Sequence, residues 1–379
     1  MDVNKYWYIS KSTFIIILFA FSWCVEPYDF RIINNEPTLV IESYISNKSY
    51  LESIDFPSDG RYFEVKLRNT SDVININDQV ESNAKVTLIN NINETWDYTE
   101  SPIGSGNYIL TDVEFKAQQS IPYKLKVSLA NGEEYASTWE TLPENDPLKM
   151  EDIFYEEVTK QAYVYESSTE KIRDIDGVEL YVNVPENNTN RPIYYKWNYT
   201  PTWVYTTSFP PRPFMDRNPI CWITNMNYLS KFTIQQDNSG GYPQKLTFIE
   251  TTGNHRIYKK FSLLITQITM SEEYYNFWNE LEEQSDKGGL FDAPPYNLKS
   301  NFKALNASKK VSGYFGVVQE DAKRFYFNKN DLSYPVEDDV VELCNISYGP
   351  DGPGGPECYN CMEYPYGEPS NIKPDWWQD

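Results

Sequence analysis

Five cysteines and a single histidine are the residues best suited to thiol, metal or general-base chemistry in this 379-residue chain. One imidazole removes any two-histidine metal site. That histidine, His255, lies in Gly253-Asn254-His255-Arg256. The segment reads as a turn between strands, with an exposed or capping histidine. Cys358-Tyr359-Asn360-Cys361 is a CxxC, which a redox enzyme would place at the opening of a helix. Here the preceding run, Gly349-Pro350-Asp351-Gly352-Pro353-Gly354-Gly355-Pro356, cannot be helical. Zinc would need Cys221 and Cys344 as further ligands, and export oxidises such thiols. The reading is two structural disulfides among Cys221, Cys344, Cys358 and Cys361, with three connectivities open. They would hold the Gly/Pro-rich tail on the body.

Other chemistry leaves no trace. There is no Gly-x-Ser-x-Gly elbow, no phosphate-binding glycine loop and no HExxH. Asp174-Ile175-Asp176-Gly177 resembles the start of a calcium loop but lacks the bidentate glutamate at the required spacing, so it reads as a hairpin turn. No catalytic residue, metal or cofactor is expected, and the protein reads as non-enzymatic.

The fifth cysteine sets the address. Lys5 and Lys11 flank Phe14-Ile15-Ile16-Ile17-Leu18-Phe19-Ala20-Phe21, a run too short for a bilayer span, which needs about 20 residues. Cys24 follows, although Trp23 stands where a small residue is usual. Residues 1–23 read as a lipoprotein signal peptide, Cys24 as the acylated (palmitate-bearing) anchor, and 24–35 as its tether. Each buried CH₂ would contribute about 0.8 kcal/mol to anchoring. The formal charge of -22 argues against nucleic acid, which needs clustered Lys and Arg. An aromatic share of 16% is too high for a disordered acidic chain.

The elements carrying these residues are mostly strands. Stretches 39–45, 62–67, 84–89, 123–129 and 134–139 are β-rich, and Asn131-Gly132 joins the last two as a hairpin. Residues 36–142 therefore read as an Ig-like or transthyretin-like β-sandwich, with 143–147 a linker. A larger β-rich domain, 148–379, follows, with strands at 178–184, 193–199, 231–235, 245–250, 258–269, 311–319 and 323–327. One amphipathic helix is predicted over 271–285. Ser271 caps it, acids fill its first turn, and Tyr274, Phe277, Trp278 and Leu281 share one face.

The densest aromatic stretch runs from Tyr194 to Tyr205. Tyr194–Tyr199 reads as a buried strand. Beyond it, Trp203, Tyr205, Phe209, Arg212 and Phe214 lead into and through a proline-rich loop and are the preferred contact surface.

These residues also carry a resemblance. Cys24-Val25-Glu26-Pro27-Tyr28-Asp29, the Ser271–Tyr275 helix start, Pro294–Asn301, Gly313-Tyr314-Phe315-Gly316-Val317, the CxxC tail and Lys373–Trp377 resemble the surface-lipoprotein family of Bacteroidota catalogued as domain of unknown function 4249. The resemblance implies a lipid-anchored, outward-facing outer-membrane protein. Its partner would be a β-barrel, in the first place a TonB-dependent transporter, and its glycan, peptide or small-molecule ligand stays open. An adhesin or structural surface role is the alternative. A carbohydrate-active enzyme rests only on abundant acids and aromatics.

Overall fold

The computed structural model describes residues 37–54, 56–70, 79–145, 148–166, 169–210, 217–286, 298–306, 310–346, 348–349 and 352–378. The leader, Cys24 and the tether lie outside them. The first part contains strands β1 (Leu39–Ser46), β2 (Glu64–Asn69), β3 (Gln79–Val80), β4 (Lys85–Asn90), β5 (Thr95–Glu100), β6 (Asn107–Ile109), β7 (Tyr123–Ser128) and β8 (Glu134–Ser137). A short helix, α1 (Tyr50–Ile54), follows β1. Alternation decides which face each strand buries. Leu39, Ile41 and Ile45 of β1, Val65 and Leu67 of β2, Val86 and Leu88 of β4, and Tyr123, Leu125 and Val127 of β7 close one core. Asn131-Gly132 makes the β7–β8 turn, and Gly132 takes φ 88°, a conformation that a side chain would strain.

The second part contains β9 (Ile153–Glu166), β10 (Thr169–Val184), β11 (Ile193–Thr206), β12 (Ile220–Thr224), β13 (Thr233–Asp237), β14 (Tyr242–Glu250), helix α2 (His255–Tyr258), β15 (Phe261–Met270), helix α3 (Glu272–Asp286), β16 (Phe302–Ala304) and β17 (Val311–Phe327). The tail adds α4 (Asp339–Ile346), β18 (Tyr348–Gly349), β19 (Gly352–Pro353) and β20 (Glu368–Ser370). The fold is mainly β, and sheets pack on one another as sandwiches. Helix α3 forms where its capping and periodicity placed it; the Ser271 hydroxyl accepts from the Tyr274 amide at 3.3 Å.

One sheet runs through both parts, in the order β16-β8-β7-β4-β5-β6-β2-β1-β17-β15-β11-β12-β20. The join is β1 with β17, parallel and in register from Leu39↔Val311 to Ser46↔Val318. A separate ladder, β14-β10-β9, packs on the second part of this sheet. Val178, Leu180 and Val182 of β10 meet Tyr195, Trp197 and Tyr199 of β11 and Leu263 and Ile265 of β15 there. The molecule thus has two sandwich cores and a shared sheet.

The described part of the expected linker, residues 143–145, is held against that sheet. The Gln319 side chain donates to the carbonyls of Pro143 at 3.2 Å and Asn145 at 2.6 Å, and Leu142 sits in the first core. Two strands expected at 311–319 and 323–327 are one continuous β17. The intervening Glu320, Asp321 and Ala322 keep their pairing with Ile268, Gln267 and Thr266, and Arg61 neutralises the Glu320 carboxylate. Strand β9 was not among the expected strands, and β10 runs through Asp174–Gly177, which read as a hairpin turn, because β9 pairs with it there. From Thr159 to Glu166 it pairs only with Thr169–Asp176 of β10, forming a ribbon on which Tyr163 and Tyr165 are 71% and 79% exposed.

Candidate functional site

Strands β1, β11, β15 and β17 turn their odd-numbered residues to the cores. Their even-numbered residues share the opposite face: Glu42 and Tyr44; Tyr194, Lys196 and Thr200; Leu264, Thr266, Ile268 and Met270; Tyr314, Glu320 and Arg324. The cross-strand pairs Lys196↔Ile268, Ile268↔Glu320 and Glu42↔Tyr314 fix this arrangement. Helix α3 covers one end of the face, and the segment between β1 and β2 covers the other. Each leaves a cavity of about 230 Å³ beneath it, and Arg61 lines both.

The cavity under α3 has aromatic and aliphatic walls. Tyr274 stacks on Tyr314 with ring centroids 4.8 Å apart, Phe277 lies 5.5 Å from Tyr314, and Ile268 and Met270 complete the apolar surface. Gly316 makes this packing feasible, because a Cβ there would fall 2.3 Å from the Tyr274 ring. Glu42, Tyr62, Glu64 and Lys66 stand at the more exposed rim, where Lys66 and Glu64 approach to 3.5 Å. Arg61 reaches Glu320, and its guanidinium lies over the Tyr44 ring at 5.1 Å.

Lys196 is the unusual member. It is 6% exposed on a central strand, yet among the described residues its ammonium has no hydrogen-bond acceptor and no carboxylate within ion-pair distance. Its Nζ sits 3.1 Å from the Trp278 ring centroid and 4.7 Å from that of Phe232. Ring faces attract a cation but take no proton from it. Burial pulls the amine down to about 7, against which the distant Glu42 pushes only weakly.

The second cavity is more polar, lined by Thr200, Thr202, Thr224 and Thr266. Arg324 stacks under Trp376 at 3.4 Å and donates to the Pro57 carbonyl at 2.5 Å and the Ser262 hydroxyl at 3.0 Å. Burial lowers its guanidinium to about 10.

The cysteines form Cys221–Cys361 and Cys344–Cys358 disulfides. The two thiols of the CxxC therefore bond to different partners: Cys361 ties the tail to Cys221 of β12, whereas Cys344–Cys358 closes a loop within the tail and does not attach it to the body. No cluster of potential metal ligands occurs among the described residues. His255 does not stand exposed in a turn. It opens α2 with a side chain 9% exposed, and Asn254 caps that helix. Its Nδ1 lies 2.8 Å from the Asp339 carboxylate and its Nε2 lies 2.7 Å from the Tyr364 hydroxyl. Burial acts to raise the Asp339 carboxyl, but the bonds from His255 win and hold it below the usual range.

The expected contact surface is largely overturned. Trp203 and Tyr205 belong to β11 and are buried, because the disulfide-bound tail covers them. Tyr364 packs on both rings, and the Tyr205 hydroxyl donates to the Glu357 carbonyl at 3.1 Å. Phe209 is half-buried against Tyr359 at 5.3 Å, while Arg212 and Phe214 lie outside the described residues. Sequence reasoning passed over Lys196, whose signal was a lone cation inside a strand of buried aromatics. It also missed Arg61, Glu320 and Arg324, which meet only through the sheet.

Residues 25–324 match the family described as "Domain of unknown function (DUF4249)". That span begins directly after Cys24, includes every residue that lines the two cavities except Trp376, and stops before the disulfide-bound tail. No curated protein and no solved structure matches the chain. With most of its length matched, the chain belongs to this domain-of-unknown-function family.

Proposed function

We propose that this chain is a lipid-anchored, outward-facing outer-membrane lipoprotein. It serves as a non-enzymatic binding subunit of a TonB-dependent transporter or another outer-membrane β-barrel. The observation that carries the binding role is the pre-formed cavity under α3, concave, aromatic-walled and containing one unmatched buried cation. The apolar run ending at Cys24 supports the anchor. The β9–β10 ribbon supports a protein partner, since the cross-strand pair Tyr163 and Ile172, and Tyr165 two residues along the same face, project into solvent.

The test is purification of the tagged full-length protein from its native membrane in mild detergent, followed by mass spectrometry. A β-barrel recovered in near-equal amount is the expected result. Recovery of the lipoprotein alone would overturn the accessory role and move the weight to an adhesin, for which attachment of a deletion strain is the next measurement. Replacing Tyr163 and Tyr165 by serine should reduce barrel recovery without changing the melting temperature.

A further inference from the structure

We infer that the cavity under α3 binds a small organic monocarboxylate, whose carboxylate meets Lys196 and whose aromatic or aliphatic body lies against Tyr274, Phe277, Trp278 and Tyr314. This inference rests on the binding role proposed above and names the ligand class of that site.

The charges around the cavity lead to this class. Arg61 is matched by Glu320, and Lys66 by Glu64. Glu42 is exposed at the rim, where water solvates it. Among these charges Lys196 is the one that is buried and has no acceptor from the described residues, so its ammonium faces only the rings and the cavity. A carboxylate supplies that acceptor and a compensating charge. A phosphate dianion fits less well, because one interior cation would face two negative charges and Glu42 guards the entrance.

Size and lining define the rest of the ligand. An apolar cavity of about 150 Å³ takes benzene. The cavity here, about 230 Å³, has room for a ring or short chain bearing a carboxylate. The walls offer ring faces and the Ile268 and Met270 side chains, which favour an apolar body over a polyhydroxylated one.

The experiment is calorimetric titration at pH 6, where Lys196 carries its proton, of the full-length protein in lipid nanodiscs, with empty nanodiscs as the blank. The probes are phenylacetate, the neutral phenylacetamide and hexanoate. Phenylacetate should bind one to one, and phenylacetamide about tenfold or more weakly, as expected for loss of a buried charge-assisted bond. Lys196→Met should bring phenylacetate down to the level of phenylacetamide and leave phenylacetamide unchanged. Lys196→Arg, which keeps the charge, should retain part of the preference for the carboxylate. Equal binding of acid and amide, an unchanged affinity in Lys196→Met, or no heat from either phenylacetate or hexanoate at millimolar concentration would overturn the inference. These titrations need no barrel, so a failed co-purification and a failed ligand assignment are separate results.

Discussion

Lys196→Met should make the protein more stable, which is an unusual expectation for a change on a central strand. The side chains have similar length, and methionine suits an aromatic surrounding. The gain comes from the charge. Lys196 ionises near 7 in the folded chain against about 10.5 for a solvated lysine, a difference worth about 5 kcal/mol at about 1.4 kcal/mol per unit. The variant is therefore favoured by about 5 kcal/mol where lysine is charged in both states, below pH about 7. Between about 7 and 10.5 the folded protein holds a neutral amine while the unfolded chain still binds the proton. Wild-type stability rises through that window relative to the variant, and the difference vanishes above it.

Other titratable groups at the cavity do not blur this comparison. Burial pushes Tyr44 up to about 12 and raises Tyr274 and Tyr314 further. Glu42, Arg61, Glu64 and Lys66 are common to both proteins. The assay is urea unfolding of the two proteins at pH 6 and pH 9, with slopes compared to verify equal exposed surface. A variant less stable than wild type at pH 6 would refute the reasoning. So would an equal difference at both pH values, because the effect would then be packing and not ionisation.

Three further outcomes follow from the fold. Removing Cys221–Cys361 by paired serine substitution should cost about 4–5 kcal/mol in non-reducing unfolding, and removing Cys344–Cys358 about 3 kcal/mol, since the first closes the longer loop; equal losses would contradict the loop argument. Gly316→Ala should cost about 1–3 kcal/mol and shift near-ultraviolet circular dichroism, because Tyr274 must move off the sheet; an unchanged spectrum would show that α3 does not rest there. Glu179, held down at about 2 by Lys160 and then Lys245, should release about 1 kcal/mol of stability as pH falls from about 4.5 to 2. That figure is reduced for solvent screening because both lysines are well exposed, and Glu179→Gln should flatten this part of the acid-unfolding curve.

Strands whose alternation matched their burial were legible from sequence, as at β1, β4 and β7. Helix α3 was legible too, because Ser271, its acidic first turn and the Tyr274–Leu281 stripe agree. The ribbon half of β9 was not, since it buries little and is held by pairing with β10 alone. The disulfides were expected, but their pairing depends on where Cys221 and Cys344 stand in space. The cavity was invisible for the same reason. Lys196, Tyr274 and Tyr314 converge only after β11, β15 and β17 pair and α3 packs on them, and the tail that buries Trp203 and Tyr205 returns from the far end of the chain.

The β1–β17 join also governs when folding can be completed. A chain that emerges from its N-terminus presents β1 long before residues 311–318 exist to pair with it. Until then one edge of β1 is bare, and a bare edge invites pairing with other chains. Closing so long a loop is slow, as for other folds dominated by distant contacts. Any fragment ending before residue 311 should therefore lack a finished first core, because Phe315 and Val317 fill it from β17. Such a chain stays open through most of its synthesis, and its first core closes only once β17 has been made.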